Sequence, residues 1–170
     1  MPILTRPALP EDALAVAMVR VGSWQAAYAG IIPDEVLDAM DPRAQSERLR
    51  SRLADPASRF TTRVAERDGV VAGFTVTGPY RGDDVPVGTG EVLAIYVDPD
   101  HWSTGVGRAL MDDALARLSA ARLWPVLLWV LRDNARARRF YEKAGFAPDG
   151  AEHFYTAGGV PVPEVRYRHG

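Results

Sequence analysis

The stretch Glu91–Met111, EVLAIYVDPDHWSTGVGRALM, constrains this chain more than any other segment. An apolar strand, Glu91–Val97, runs into a turn at Asp98-Pro99. Gly105-Val106-Gly107 then opens a helix predicted over 105–121, with Val106, Leu110, Ala114, Leu115 and Leu118 on one face. A helix start leaves backbone N–H groups unpaired and turns its positive dipole end toward whatever precedes it. A strand–turn–helix of this kind is therefore a cradle for an anion, phosphate above all. Pro125–Leu131 follows and is apolar throughout, as expected of a strand buried on both faces. The strand–helix–strand order requires a parallel pair with a right-handed crossover.

The remaining segments extend this unit into one mixed α/β sheet. Ile3–Arg6 reads as a short strand closed by Pro7. Leu14, Ala17, Met18, Val21, Trp24 and Tyr28 follow helical spacing up to Gly30, with Glu11 and Asp12 at the favourable end. Pro33 suits the first turn of a second helical segment carrying Val36, Leu37 and Met40, and a further helix spans 43–53. Phe60–Glu66 and Val70–Thr77 read as strands joined at Asp68-Gly69, a hairpin signal, and 79–90 as a loop. Asn134–Ala144 is the next helix, with Ala137, Phe140, Tyr141 and Ala144 inward and Gly145 as its left-handed cap. Phe154–Ala157 and Val160–Tyr167 form a last hairpin around Gly158-Gly159. A single domain over residues 1–170 is expected, long enough to bury roughly 70% of the unfolded surface.

Composition removes several classes of function. Cysteine is absent, which excludes disulfides, thiolate metal sites and a cysteine nucleophile, and fits a cytoplasmic protein. No apolar run approaches the roughly 18 residues of a membrane span, and the N-terminus lacks a signal-peptide core. A net charge of −2 argues against nucleic acid as a partner. The histidines His101, His153 and His169 show no metal-ligand spacing, so no metal is expected.

Two familiar phosphate motifs fail on specific residues. A Walker loop needs Gly-Lys-Ser/Thr, and the sole lysine is Lys143, far from the glycines. A dinucleotide fingerprint needs a third glycine where Leu110 stands, and an N-terminal first strand. The segment Trp102-Ser103-Thr104-Gly105-Val106-Gly107 instead resembles the acyl-CoA turn of the GNAT N-acetyltransferases, usually Gln/Arg-x-x-Gly-x-Gly/Ala. The likeness continues through Val97-Asp98-Pro99 before it and Arg108-Ala109-Leu110-Met111 after it. Downstream, 134–146 (NARARRFYEKAGF) is similar to the second signature of that family. Trp102 and Thr104 depart from the usual side chains, so backbone donors should carry most of the pyrophosphate binding, with help from Ser103 and Arg108.

The resemblance implies an α/β GNAT-like fold and transfer of an acetyl group from acetyl-CoA to a primary amine of a small molecule, by direct attack in a ternary complex. Protein or peptide acetylation is the alternative acceptor reading, and a non-catalytic acyl-CoA sensor is the rival from another class. By position relative to Gly105, Glu91 matches the glutamate used as base by some members. Read as sharing a strand face with Leu93, Ile95 and Val97, it would be desolvated and its pKa raised. Tyr141 matches the tyrosine that protonates the departing thiolate. Asn134 would bond the pantetheine arm, or simply cap its helix. Backbone groups of Ile95, Tyr96 and Val97 would pair with the pantetheine amides, the Val97 N–H serving the oxyanion. Trp24, Tyr28 and Glu35 fall where the family walls its acceptor pocket, and aromatics near an acid suit a cationic amine. Tyr80, His153 and Tyr155 are further acceptor-facing candidates. A homodimer is compatible with the family's habits.

Overall fold

A computed structural model describes residues 2–170. Its elements run β1 (Ile3–Pro7), α1 (Ala13–Ala27), α2 (Asp34–Asp38), α3 (Pro42–Leu53), β2 (Thr61–Arg67), β3 (Val70–Pro79), β4 (Gly90–Val97), α4 (Val106–Ala120), β5 (Val126–Leu131), α5 (Ala135–Lys143), β6 (Ala147–Ala157) and β7 (Val160–His169). The seven strands form one sheet in the order β1-β2-β3-β4-β5-β7-β6. Every neighbouring pair is antiparallel except β4 with β5, the parallel pair expected from the crossover. No helix among the described residues is long and apolar enough to cross a membrane.

The helices cover both faces. On one side α4 and α5 bury Met111, Leu118 and Tyr141 against Val92, Val126, Leu128, Val130 and Tyr167. Val106 and Leu110 of α4 close over Ala65 and Ala72 on the same side. On the other side, Val16 and Val19 of α1 pack on Val64 and Phe74, while Trp24, Ile32 and Leu37 meet Leu131, Ala157 and Val162. The buried residues of α1 are Ala13, Val16, Ala17, Val19, Val21, Ser23 and Trp24; Leu14 and Met18, expected inside, face solvent. Gly145 takes φ +96°, the left-handed cap expected at the end of α5. β6 begins at Ala147, well before the expected Phe154, because a bulge between Pro148 and Glu152 absorbs the Asp149-Gly150 break.

One irregularity overturns the expected face of Glu91. Along the β3–β4 pair, Val76 lies opposite Ala94 and Thr77 opposite Val92, so Leu93 is an extra residue in β4. A bulge reverses the alternation of side chains beyond it. Glu91, opposite Gly78, therefore shares its face with Ala94 and Tyr96 on the α1 side. Ile95 and Val97 point toward α4 with Val92.

Candidate active site

A V-shaped gap in the sheet makes the site. β4 and β5 pair only at Gly90–Val126 and Glu91–Leu127, after which β5 pairs along its length with β7. From Val92 onward the outer edge of β4 has no strand beside it. A cleft of about 860 Å³ runs through this gap, lined by β4 from Glu91 to Val97 and by β5 from Trp129 to Leu131. The Asp98 N–H donates to Ala72 O at 2.8 Å, toward β3. Alternation then turns the N–H and C=O of Val97 and Ile95 into the cleft and those of Tyr96 toward β3. Tyr96 thus brings its ring to the site rather than its backbone.

One end of the cleft is the turn before α4. Gly105, at the helix N-cap, has φ +93°, a conformation costly for any residue with a Cβ; Ser103 also adopts φ +61°. The Trp102 indole N–H donates to Val97 O at 2.9 Å, and the Thr104 hydroxyl donates to His101 O at 2.6 Å. These two unusual side chains brace the turn rather than reach outward. Trp102, Ser103, Gly105, Gly107 and Arg108 line the cleft. Thr104 is folded back, and Val106 is fully buried beneath the sheet. Arg108 is largely exposed and lies 3.7 Å from Asp112. Asn134 caps α5 by accepting the Ala137 N–H at 3.2 Å, and it also lines the cleft.

Cations that the sequence reading left aside stand on α5 at this end. Arg136 lies 3.7 Å above the Trp102 ring, and burial lowers its pKa, the mark of a cation partly stripped of water. Arg139 and Lys143 join it along the cleft. Their near-helical spacing, beginning at Arg136, was the signal that could have found them.

Tyr141 sits at the middle, 9% exposed, its ring wedged by Phe140, Phe146 and Tyr167. Burial pushes its pKa well above the ordinary phenol value, and neighbouring Tyr96 adds to the effect. Glu91 is only 1% exposed, yet its carboxylate is not free. It accepts from the Arg81 backbone N–H at 3.1 Å, from Nε at 3.1 Å and from Nη2 at 2.8 Å. The expected desolvated acid is therefore one half of an ion pair, and its partner lies on a loop that periodicity could not connect to it.

The opposite end is aromatic. Trp24 of α1 meets Tyr28 at the helix C-cap, Tyr96 of β4 and Tyr155 of β6, with ring centroids 4.9–6.4 Å from Trp24. Burial raises the pKa of the Tyr28 hydroxyl, with Tyr96 contributing next. Trp129, His153 and Glu164 complete this wall. Glu35 is not part of it and lines a separate shallow groove with Met40 and Arg48. Tyr80 also stands back: its hydroxyl accepts from Arg166 Nη1 at 3.0 Å, while its neighbour Arg81 reaches the cleft.

Comparison with known proteins agrees with this geometry. Residues 24–146 match the acetyltransferase (GNAT) family. An N-acetyltransferase of Mycobacterium tuberculosis is 34% identical over 127 residues, 73% of this chain and 75% of its own length. A second from that organism is 30% identical over 98% of this chain and 92% of its own. Among solved structures, the PaiA N-acetyltransferase of Thermoplasma acidophilum, in complex with coenzyme A, superposes with a TM-score of 0.76 at 22% identity, covering 96% of this chain and 98% of that one. A ribosomal-protein-alanine N-acetyltransferase of Brucella melitensis gives 0.74 at 20%, covering 97% and 98%. The matched region takes in both edges of the cleft and the helix start that opens it, and this chain is an acyltransferase of the GNAT family.

Proposed function

We propose that this protein transfers an acetyl group from acetyl-CoA to a primary amine of a small molecule, by direct attack in a ternary complex. The observation that carries the reading is the cleft itself. It joins a helix N-terminus at one end to an aromatic, acid-bearing pocket at the other, with a protonated phenol between them. The Thermoplasma neighbour is a complex with coenzyme A, which supports coenzyme A as the ligand of this fold. The unpaired N–H groups at the start of α4 favour its pyrophosphate there.

The pyrophosphate is assigned to the backbone of the turn at Ser103–Gly107, with Arg136, Arg139 and Lys143 supplying positive charge where Trp102 and Thr104 do not. The Val97 and Ile95 N–H groups and the Ile95 carbonyl are offered to the pantetheine amides along the open edge of β4, as a missing strand would pair there, while the Val97 carbonyl already accepts the Trp102 indole N–H. The Val97 N–H is the donor for the tetrahedral oxyanion. Tyr141 returns a proton to the departing thiolate; burial keeps the phenol protonated, so that proton is present when the C–S bond breaks. Glu91 positions Arg81 and the start of the loop after β3.

A small acceptor suits the contact between the last hairpin and α2. The β6–β7 turn rests on α2 so closely that a Cβ built on Gly158 would lie 2.6 Å from Val36 Cγ2. This contact joins α2 to the hairpin along the outer wall and favours a small acceptor over a chain. Aromatic rings beside a carboxylate recognise an alkylammonium by cation–π and ionic attraction. The test is thiol release from acetyl-CoA across polyamines, aminoglycosides, amino acids and peptides. Turnover confined to peptides would replace the small-molecule reading. Tight acetyl-CoA binding with no turnover on any amine would make the protein a sensor.

A further inference from the structure

Acetyl transfer to an amine needs a proton acceptor on the amine side, and the cleft narrows the choice sharply. Arg20 and Arg81 are cations. Tyr28 and Tyr141 hold their protons more firmly than an ordinary phenol. Glu91 already receives three hydrogen bonds from Arg81, and taking a proton there would dismantle the ion pair. His101 lies at the cofactor turn, 3.9 Å from Asp98.

His153 and Glu164 stand apart from these. They face each other across the β6–β7 pair, with His153 Nε2 3.0 Å from Glu164 Oε1. The imidazole stacks on Trp129 of β5, centroids 3.6 Å apart and planes 13° from parallel. Arg166, 5.5 Å from the same indole, is held by Asp84, Asp149 and Tyr80 and so does not compete for Glu164. The Glu164 side chain is 17% exposed. Three strands thus fix one imidazole on the acceptor wall of the cleft.

We infer that His153, oriented by Glu164 and Trp129, is the catalytic base that deprotonates the acceptor amine. This rests on the acetyl-transfer reading above. With Nε2–H donating to Glu164, Nδ1 carries the free lone pair. Nδ1 takes one proton from the incoming ammonium and later releases it to water. The neutral nitrogen attacks the thioester carbonyl, the C–N bond forms, and the C–S bond breaks on collapse. Tyr141 gives its proton to the leaving sulfur, and the second proton lost by nitrogen restores the phenol. Glu164 of β7 is the titratable group in contact with the imidazole, and Arg166 of β7 shares its indole; Tyr155 from β6, Glu91 from β4, Arg81 from the loop and Tyr28 from the end of α1 line the same cleft. Glu164 is the positioning residue, setting the tautomer and ring orientation.

The experiment is the pH profile of kcat/KM with an acceptor found in the panel, one whose own amine titrates above about pH 9. Wild type is expected to show an acidic limb, E91Q to retain it, and H153Q to lose it with kcat/KM at neutral pH lowered about 100-fold. Coenzyme A affinity and melting temperature of H153Q should match wild type, because the side chain is half exposed. Added imidazole should raise the turnover of H153A, and E164Q should shift the limb without abolishing it. An acidic limb unchanged in H153Q, or absent in E91Q, overturns the proposal and returns the proton to Glu91. Absence of any amine turnover by wild type would instead overturn the acetyl-transfer reading.

Discussion

The two halves of the cleft are built on different principles. The half proposed for the cofactor is assembled from β4, the turn and α4, with α5 adding its N-terminal cap and cations. The groups it offers are mostly backbone: a helix start and a strand edge that no neighbouring strand occupies. The half proposed for the acceptor draws Trp24 from α1 and Tyr28 from its C-terminal cap, Arg81 from a loop, Trp129 from β5, His153 from β6 and Glu164 from β7. The groups it offers are side chains, and none is near another in sequence apart from helical or hairpin neighbours. A backbone cradle should tolerate side-chain drift of the kind seen at Trp102 and Thr104. A side-chain pocket changes specificity with every substitution.

The largest effect is expected where the halves meet. Tyr141→Phe removes the proposed proton donor but leaves the ring in its packing, so kcat should fall by about 100-fold or more while coenzyme A affinity holds. Equal loss of affinity and turnover would place Tyr141 among the binding groups. Next is Gly105→Val, which forces a β-branched residue into φ +93° at the anion cradle. Calorimetry should show coenzyme A affinity lowered at least tenfold, from a backbone cost of about 1–3 kcal/mol. In the acceptor half, Arg81→Met leaves the buried Glu91 without its cation. Denaturant unfolding should show a loss of up to about 3 kcal/mol, with coenzyme A binding little changed in the protein that remains folded. Trp102→Phe keeps the platform under Arg136 but loses the indole N–H, and should weaken coenzyme A by less than tenfold, about 1 kcal/mol. A larger loss would mean that the cradle depends on side chains after all.

A pair outside both halves gives the smallest effect and a control. The Arg6 guanidinium, against the opposing effect of burial and with help from the Leu9 N–H, holds the Asp12 carboxyl below its ordinary 3.8. A depressed carboxyl stabilises the fold fully above the unfolded value and loses that contribution as pH falls through the lowered one. Wild type should therefore lose stability on acidification below about pH 4 more steeply than Asp12→Asn, by about 1 kcal/mol. Acetyl-CoA binding at neutral pH should be equal in the two proteins.

What could be read from the chain follows from how far apart the interacting groups lie. The strand–turn–helix of residues 91–120 and the cap at Gly145 were legible because each depends on neighbours within a turn or a strand. So was the parallel β4–β5 pair, which the crossover dictates. Glu91 marks where such reading stops. Its residue type and place in β4 were clear, but its face depended on the extra residue at Leu93, and its state depended on Arg81. A bulge leaves no periodic trace, because one inserted residue looks like ordinary alternation until its partner strand is known. Glu35 failed for the same reason: its helix was correctly anticipated, but which way a short helix turns is settled only by packing.

By itself, then, the amino-acid sequence determined the element order, the anion cradle at the start of α4, and the family to which both signatures point. Those features rest on hydrophobic periodicity, on glycine's access to positive φ, and on unpaired N–H groups, all of them local. Only the tertiary structure decided that β4 and β5 separate after Glu91, that Arg81 closes on that carboxylate, and that His153 is held between Glu164 and Trp129. Each of these is a meeting of residues distant in sequence, fixed by strand register and sheet packing, which no local pattern encodes.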